Sequence, residues 1–362
     1  MSTSRRKLLH IIGNRPQFIK VATLLRALPD ELFHNFIVHS GQHYDYEMSQ
    51  RFFEELQIPN PDCNLEVGSG SHGLQTGRIL AALDPILESE QPDIVLVYGD
   101  TNTTLAGALS AYKAHVTLVH VEAGFREFAW RPEEINRTVS DHCADYCFCS
   151  SAKPANNLRR EGFAEQRIVV TGDLTYDSFL WAVGKLNGCG RRRVGVPGAV
   201  LLTLHRAETV DDPALLDAVI SSILDIDEPL CFPVHPRTRS RLESCGLWAK
   251  LTAKTNVRCL PPLSYLEFLR HLLECSIVLT DSGGVTREAY YAGKPSVILD
   301  KQTEYTELIC EGAAALSGHG REAIGLAIRE AFRRGSHDPK RLFGDGDAAW
   351  KMASVLRSCP IR

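Results

Sequence analysis

The chain alternates short apolar runs with polar residues that follow each run directly. Five runs end in this way: LLHIIG before Asn14 and Arg15, DIVLVYG before Asp100, TLVHV before Glu122, LLTL before His205, and IVLT before Asp281 and Ser282. Helical stretches such as TTLAGALSAYKA separate the runs, and strands that alternate with helices form parallel sheets. Ligands bind outside the carboxyl ends of such strands. The pattern therefore predicts an α/β fold whose strand ends carry a site for an anionic, phosphate-bearing ligand.

The strand and helix pattern occurs twice. The first series extends to about residue 180, and the second begins at AVLLTLHR; between them, GKLNGCGRRRVGVPG is typical of a linker. We predict a Rossmann-like domain over residues 1–183, a second over 198–342, and a tail, 343–362, that packs back across the domains. Two doubly wound domains joined once are expected to face each other across a ligand-binding cleft.

Composition argues against several classes of protein. A net charge of −4 argues against binding nucleic acid through a basic field. No apolar run approaches the ~20 residues needed to cross a bilayer, so we expect no membrane partner. The eleven cysteines are scattered and several lie in apolar runs, a pattern typical of reduced core thiols in the cytoplasm. The sequence contains no HExxH motif and no cluster of Cys and His residues, so it predicts no metal site.

The loop after the first apolar run opens a helix with GNRPQFIK. Glycine permits a tight turn, and the free amides at a helix start favour anions. Arg15 and Lys20 add positive charge to the same loop. A structural turn with two solvated bases is the simpler alternative.

The run IVLT leads into a second loop of this kind. Ser282, Gly283 and Gly284 are expected to expose backbone amides and a hydroxyl to a phosphate, although Ser282 alone could be a helix cap. Glu288, one turn further along the helix, could accept from ribose hydroxyls. His205 at its own strand end is expected to contact a ligand phosphate, with a buried structural histidine as the alternative.

Three carboxylates are expected at one edge of the first domain's sheet: Asp100 and Glu122 follow strands, and Glu133 lies at the start of a helix. Their common position at one predicted sheet edge suits acids and bases for proton transfer. Asp100 could instead be a helix N-cap, and Glu133 with Arg137, four residues later, could form an ordinary surface ion pair.

Taken in order, GNRPQFIK, VYGDTNTTLAGALSA, HVEAG, RPEEINR, LHRAE, LTDSGGVTREAYYAGKP and FGDGDAA resemble the non-hydrolysing UDP-N-acetylglucosamine 2-epimerase family over nearly the whole chain. The resemblance implies the two-domain GT-B fold, a UDP-sugar substrate and a homodimer. It also implies inversion at C2 without any cofactor, by elimination of UDP to a 2-acetamidoglucal and its addition on the other face.

The resemblance also implies a role for each motif residue. The acid/base carboxylates are Asp100, Glu122 and Glu133, with Arg137 positioning them and the diphosphate. The phosphate-binding residues are His205, Arg15, Ser282 and Gly283. On the nucleotide side lie Glu288 at the ribose, Phe268 near the uracil, and Lys20. Gln42 and His43 resemble part of a second, regulatory UDP-sugar site.

Four segments depart from the family pattern. G-T-R-P-E is GNRPQ here, H-R-R-E-N is HRAET, and T-E-R-P-E is TEYTE, which removes an arginine expected near the phosphates. These changes resemble the branch that acts on UDP-2,3-diacetamido-2,3-dideoxy-glucuronic acid. The segment 125–132, expected against the sugar, also differs. The family resemblance implies a substrate of the UDP-N-acetylglucosamine type, and the four departures leave that glucuronic acid sugar or another nucleotide hexose as the alternative.

Three other functions remain as alternatives. A hydrolysing epimerase would release UDP and the free sugar. A GT-B glycosyltransferase would use the same fold to move the sugar to an acceptor. A catalytically silent nucleotide-sugar sensor would bind without turnover.

Overall fold

The computed structural model describes residues 5–41, 52–128, 130–188, 196–318 and 320–362. The chain divides into two compact units. The first covers Met1–Leu180 and Arg341–Arg362, and the second covers Trp181–Lys340. The C-terminal segment is therefore part of the first unit.

The first unit is built on a parallel sheet of order β3-β2-β1-β4-β5-β6-β7. Its strands are β1 (Arg6–Ile12), β2 (Phe33–His39), β3 (Cys63–Asn64), β4 (Ile94–Tyr98), β5 (Thr117–Val121), β6 (Tyr146–Cys149) and β7 (Ile168–Val170). Its helices are α1 (Arg15–Leu25), α2 (His72–Glu90), α3 (Asn102–Lys113), α4 (Pro132–Cys143), α5 (Ala152–Arg160) and α6 (Leu174–Gly188), whose last turns belong to the second unit. A 3₁₀ turn covers Glu165–Arg167.

The second unit has a parallel sheet of order β10-β9-β8-β11-β12-β13. Its strands are β8 (Val200–Thr203), β9 (Leu230–Pro233), β10 (Val257–Leu260), β11 (Ile277–Thr280), β12 (Ser296–Ile298) and β13 (Ala314–Leu316). Its helices are α7 (Ala207–Val210), α8 (Pro213–Leu224), α9 (Pro236–Ser244), α10 (Leu247–Ala253), α11 (Tyr265–Glu274), α12 (Gly283–Tyr291), α13 (Thr306–Cys310) and α14 (Arg321–Arg334). The last helix of the chain, α15 (Ala348–Ser358), belongs to the first unit.

Each sheet is covered on both faces, which explains why a central strand such as β4 is apolar throughout. Every residue of β4, IVLVY, is buried, as expected where helices cover both sides of a parallel sheet. In the first unit Leu9 and Val97 pack into one core cluster with Ile79 of α2. In the second, Leu202 and Leu279 pack with helical residues in the same way. The α/β prediction of two doubly wound sheets is confirmed.

The order of strands reverses once in each sheet. The chain moves outward from β1 to β3 and then returns to β4 beside β1, and it repeats this path from β8 to β11. Loops that leave such neighbouring strands diverge, and the crevice between them is the usual place for a ligand in this architecture. In the first unit Arg15 and Asp100 follow the two strands at this point. In the second, His205 and Ser282 do.

Candidate active site

Asp100 follows β4 and is bound by Arg137 of α4. Arg137 Nε and Nη2 donate to Asp100 Oδ2 at 2.9 and 2.6 Å. The cap of α3 is Thr101, whose side chain accepts from Thr104 N, so Asp100 is not the helix cap. Its side chain remains 31% exposed while that of Arg137 is buried. Arg137 thus fixes a carboxylate that a ligand can still reach.

Arg137 also pairs with a glutamate in the first turn of its own helix. The partner is Glu134, three residues earlier, and not Glu133, four residues earlier, as the spacing suggested. Arg137 Nη1 donates to Glu134 Oε2 at 3.1 Å. Glu134 also accepts from the backbone amides of Glu127 and Phe128, at 3.0 and 3.3 Å, and so ties the preceding loop to α4. The partly buried Glu133 carboxylate has no hydrogen bond or ion pair to any described residue. The sequence pointed to Glu133 and missed Glu134.

Glu122 lies in the turn after β5 with a φ of +71°, in the left-handed region that non-glycine residues seldom occupy. Its Oε2 accepts from Lys20 Nζ in a salt bridge between two largely buried side chains. Gly99 lies against this pair, because a Cβ there would be 3.3 Å from Glu122 Oε2 and 3.7 Å from Lys20 Nζ. The structure therefore brings Lys20 to an acid/base candidate and places the end of β4 beside the end of β5.

A small pocket lies beside the pair of Glu122 and Lys20. It is lined by Lys20, Val121, Glu122, Ser150, Gly172, Asp173, Leu174 and Met352. The ends of β5, β6 and β7 and the C-terminal helix all contribute to its wall. A polar group that enters this pocket meets both a carboxylate and an ammonium.

The loop that carries Arg15 is tied to the end of β4. Gln17 accepts from Gly13 N at 2.7 Å and donates to Tyr98 O at 2.7 Å. An ionised glutamate, the residue of the usual family pattern, could not donate to that carbonyl. The Arg15 guanidinium lies over the ring of Phe52, with its carbon 4.4 Å from the ring centroid.

His205 follows β8, and its side chain is 46% exposed, so it is not the buried structural histidine of the alternative reading. A buried carboxylate, Asp281, lies behind it. Asp281 Oδ1 is 3.0 Å from His205 Nδ1, and Oδ2 accepts from the amides of His205 and Arg206, both at 2.9 Å. Burial acts to raise the pKa of Asp281, but the charge and hydrogen bonds of His205 outweigh it and lower that pKa. Sequence reasoning gave Asp281 no role, although it stands in the same LTDSGG motif.

Ser282 is the N-cap of α12, as the alternative reading held. Its Oγ accepts from Val285 N at 3.4 Å, and the hydroxyl hydrogen remains available to a ligand. Gly283 has no room for a side chain, since a Cβ there would lie 2.7 Å from Tyr305 Cε2 and 2.9 Å from Glu304 Oε1. A side chain at residue 283, at the start of α12, would therefore force Tyr305 or Glu304 to shift.

The remaining candidates of the second unit differ in accessibility. A Cβ on Gly284 would contact only Ser282 Oγ, at 3.8 Å, so this position is open. Glu288, on α12, and Phe268, on α11, are both 6% exposed. The two regulatory candidates, Gln42 and His43, lie outside the described residues.

The described part of the chain contains no group of three or more His, Cys, Asp or Glu side chains placed to bind a metal ion. No helix in that part has the length and hydropathy to cross a membrane.

Comparison with known proteins identifies the family. The model of the UDP-N-acetylglucosamine 2-epimerase family matches residues 26–357. The chain is 42% identical over 360 residues to the UDP-2,3-diacetamido-2,3-dideoxy-D-glucuronate 2-epimerase of Pseudomonas aeruginosa, covering 97% of this chain and 99% of that protein. It is 39% identical over 361 residues to the UDP-N-acetylglucosamine 2-epimerase of Methanocaldococcus jannaschii, covering 97% and 98%.

The structural comparison agrees. The crystal structure of the Methanocaldococcus jannaschii UDP-GlcNAc 2-epimerase in complex with UDP-GlcNAc and UDP superimposes with a TM-score of 0.91 at 39% identity, over 97% of this chain and 99% of that one. The two parallel sheets with alternating helices are those of the GT-B fold, as predicted. The chain belongs to the UDP-N-acetylglucosamine 2-epimerase family.

Proposed function

We propose that this protein inverts C2 of a UDP-2-acetamido sugar, of the UDP-N-acetylglucosamine to UDP-N-acetylmannosamine type. The observation that carries the proposal is the arrangement at the ends of β4 and β5, where Asp100 and Glu122 each have a buried cationic partner and adjoin through Gly99. C2 inversion needs a base on one face of the sugar and an acid on the other, and carboxylates at neighbouring strand ends supply both.

The reaction begins with removal of the C2 proton by one carboxylate. The C–H electrons form the C1–C2 double bond while the C1–O bond breaks, and UDP leaves with that electron pair. Reprotonation at C2 on the opposite face and return of UDP to C1 complete the inversion. Asp100, Glu122 and Glu133 share these proton transfers. The Glu133 carboxylate, without a partner among the described residues, is free to turn to the sugar.

Departure of UDP places negative charge on the diphosphate, which must be stabilised while the glycal remains bound. His205, fixed by Asp281, supplies an exposed ring for this purpose. Ser282 and the amides of Gly283 and Gly284 form an anion-binding helix start in the same unit. Arg15 and Arg137 complete the phosphate set, while Glu288 and Phe268 bind the ribose and the uracil.

The first test is proton NMR in heavy water with UDP-N-acetylglucosamine, without metal or NAD. We expect deuterium at C2 together with a manno-configured UDP-sugar. Glu122→Gln should reduce epimerisation on the order of 10³-fold and leave UDP binding intact. Glu165→Gln, at an exposed ion pair with Arg159, is the matched control and should keep full activity.

Other results would point elsewhere. Stoichiometric free UDP would indicate a hydrolysing enzyme, and sugar transfer to an added acceptor would indicate a glycosyltransferase. UDP binding without any exchange would indicate a sensor. Retained turnover in Glu122→Gln would overturn the proposed mechanism.

A second substrate is favoured by the 42% identity to the Pseudomonas aeruginosa enzyme and by the GNRPQ, HRAET and TEYTE segments. The same reaction on UDP-2,3-diacetamido-2,3-dideoxy-glucuronic acid would use the same carboxylates. The two sugars should be compared by kcat/KM in one assay. A ratio above about 100 in either direction would assign the substrate, since it corresponds to almost 3 kcal/mol of transition-state binding.

We further propose a cytoplasmic homodimer. The family resemblance supports the dimer, and the ten described cysteines, all free thiols, support a reducing compartment. Light scattering on the purified protein should give twice the 40.1 kDa of one chain. A monomer mass would contradict this assembly.

A further inference from the structure

A cluster of four ionisable side chains lies beneath the sheet edge that carries Asp100 and Glu122. It consists of His120, Arg126, Asp141 and Glu161, here called the Asp141 cluster. The side chains of His120 and Asp141 are fully buried, that of Arg126 is 2% exposed, and that of Glu161 is 29% exposed. None of them belongs to the set assigned to the proposed reaction. Buried charged groups of this kind are rare unless they are paired.

One side of the cluster contacts the end of β4. His120 Nδ1 is 2.6 Å from Asp141 Oδ1, and His120 Nε2 is 2.7 Å from the carbonyl oxygen of Gly99. The carbonyl can only accept, so Nε2 carries a hydrogen, and a further proton lies between Nδ1 and the carboxylate. His120 therefore links Asp141 to the backbone immediately before Asp100.

The other side of the cluster contacts the turn after β5. Both Asp141 oxygens accept from Gly124 N, at 3.3 and 3.2 Å. Gly124 has a φ of +83°, and a Cβ on it would lie 2.4 Å from the carbonyl oxygen of Pro154. The same turn contains Glu122 at φ +71°. A non-glycine residue stays in this conformation only where its surroundings impose it, and the bonds from Gly124 N to Asp141 hold the backbone two residues further along the same turn.

Charge balance inside the cluster keeps Asp141 in its ionised form. Burial acts to raise the pKa of Asp141, but His120 and Arg126 outweigh it and lower that pKa. Arg126 Nη1 donates to Asp141 Oδ2 at 2.7 Å, and its Nε and Nη2 donate to Glu161 at 2.8 and 2.7 Å. A buried, ionised carboxylate that is fully paired is a rigid acceptor, because any movement would leave one of its donors unsatisfied.

We propose that Asp141 is a positioning residue that holds the backbone before Asp100 and the turn of Glu122 in one fixed arrangement. It acts through His120 on the first and through Gly124 on the second. The proposal rests on the proposed function, because it takes the two carboxylates as the proton-transfer groups. Asp141 itself touches neither carboxylate in any described contact, so its effect is on their placement.

The test is Asp141→Asn, which keeps the size of the side chain and removes its charge. We expect kcat for C2 inversion to fall about 10- to 100-fold, as it does when a group orienting a reactive side chain is lost. UDP affinity and KM should change less than about threefold, since the described contacts of the Asp141 side chain are with His120, Gly124 and Arg126, and none of these belongs to the proposed phosphate set. A fall in UDP affinity equal to the fall in kcat would overturn the proposal.

Asp145→Asn is the matched control. Asp145 accepts from Leu118 N at 2.8 Å and pairs with Arg362, so like Asp141 it joins a backbone amide to an arginine, but at the amino end of β5. It should lower thermal stability without the selective loss of kcat. Equal losses of kcat in the two variants would show that Asp141 is merely structural.

A second readout does not depend on turnover. Amide hydrogen exchange in peptides covering 96–102 and 120–126 should quicken on the order of 10-fold in Asp141→Asn and stay unchanged in Asp145→Asn. Unchanged exchange in both would overturn the positioning role. Wild-type protein without C2 exchange would instead count against the proposed function, while the amide exchange would still decide the role of Asp141.

If Asp141→Asn does not fold, Glu161→Gln replaces it. This variant leaves Asp141 charged and weakens only the outer bond of Arg126, at a partly exposed position. A fall in kcat of about threefold with unchanged UDP affinity supports the proposal. An activity equal to wild type, with unchanged exchange in both peptides, refutes it.

Discussion

Gly99→Ala tests whether the close approach of β4 and β5 controls activity. The residue has a φ of +65°, so alanine costs about 1–2 kcal/mol of stability from backbone strain alone. The added Cβ would lie 3.3 Å from Glu122 Oε2 and 3.7 Å from Lys20 Nζ. The first distance is short, so the carboxylate must move by a few tenths of an ångström. Displacements of this size in a proton-transfer group should cost on the order of 10-fold in kcat.

Gly246→Ala separates the contact from the strain. Gly246 has a φ of +68°, and a Cβ on it would meet nothing within 4 Å. Alanine at this position should therefore suffer the same backbone strain without contacting a functional group. Thermal unfolding should show a loss of a few degrees in both variants, whereas the C2-exchange assay should show a loss of kcat only in Gly99→Ala. Equal activities in the two variants would refute the reasoning.

Three further perturbations have a defined direction. Gly283→Ala should weaken UDP binding at least about 10-fold, because the added methyl group has no room. Gly284→Ala, at an open position, should weaken it much less. Calorimetric titration with UDP compares the affinities of the two variants. Asp281→Asn should lower kcat about 10-fold with little change in KM, since His205 loses the carboxylate that orients it. Unchanged steady-state kinetics would argue against the pairing of Asp281 with His205. Burial raises the pKa of Asp177 to about 6, so the folded state favours its neutral form and loses stability as pH rises from about 4 through 6. After discounting for partial exposure, Asp177→Asn should be more stable than wild type by about 1–2 kcal/mol at pH 8 and by nearly nothing at pH 4, as denaturant unfolding at the two pH values would show.

The strand ends were predictable because apolar runs and the residues after them are adjacent in sequence. The run IVLVY had to be a strand buried on both faces, and Asp100 therefore had to lie at its carboxyl end. The same argument placed Glu122, His205 and Ser282 at strand ends. Once two doubly wound sheets were inferred, the positions of these residues along the fold followed from chain order.

The partners of these residues were not predictable, because each contact joins distant parts of the chain. Lys20 reaches Glu122 across 102 positions, and Arg137 reaches Asp100 across 37. The family resemblance put Lys20 among the nucleotide-binding residues, whereas the described contact is with an acid/base candidate. Helical spacing favoured Glu133 as the neighbour of Arg137, but side-chain direction brought Glu134 to it, a choice that periodicity alone cannot make.

A distinction between two kinds of carboxylate explains what the sequence pattern could find. Asp100 and Glu122 retain some exposure, so they lie in loops at strand ends, where glycine and polar neighbours mark them. Asp141 and Asp281 are fully buried and act on backbone amides and imidazole rings. A buried carboxylate needs partners on every side, and those partners come from different elements of the fold. A carboxylate in a helix or a motif can therefore indicate that such a network exists. Which residues the network contacts depends on the folded sheet and cannot be predicted from the local sequence.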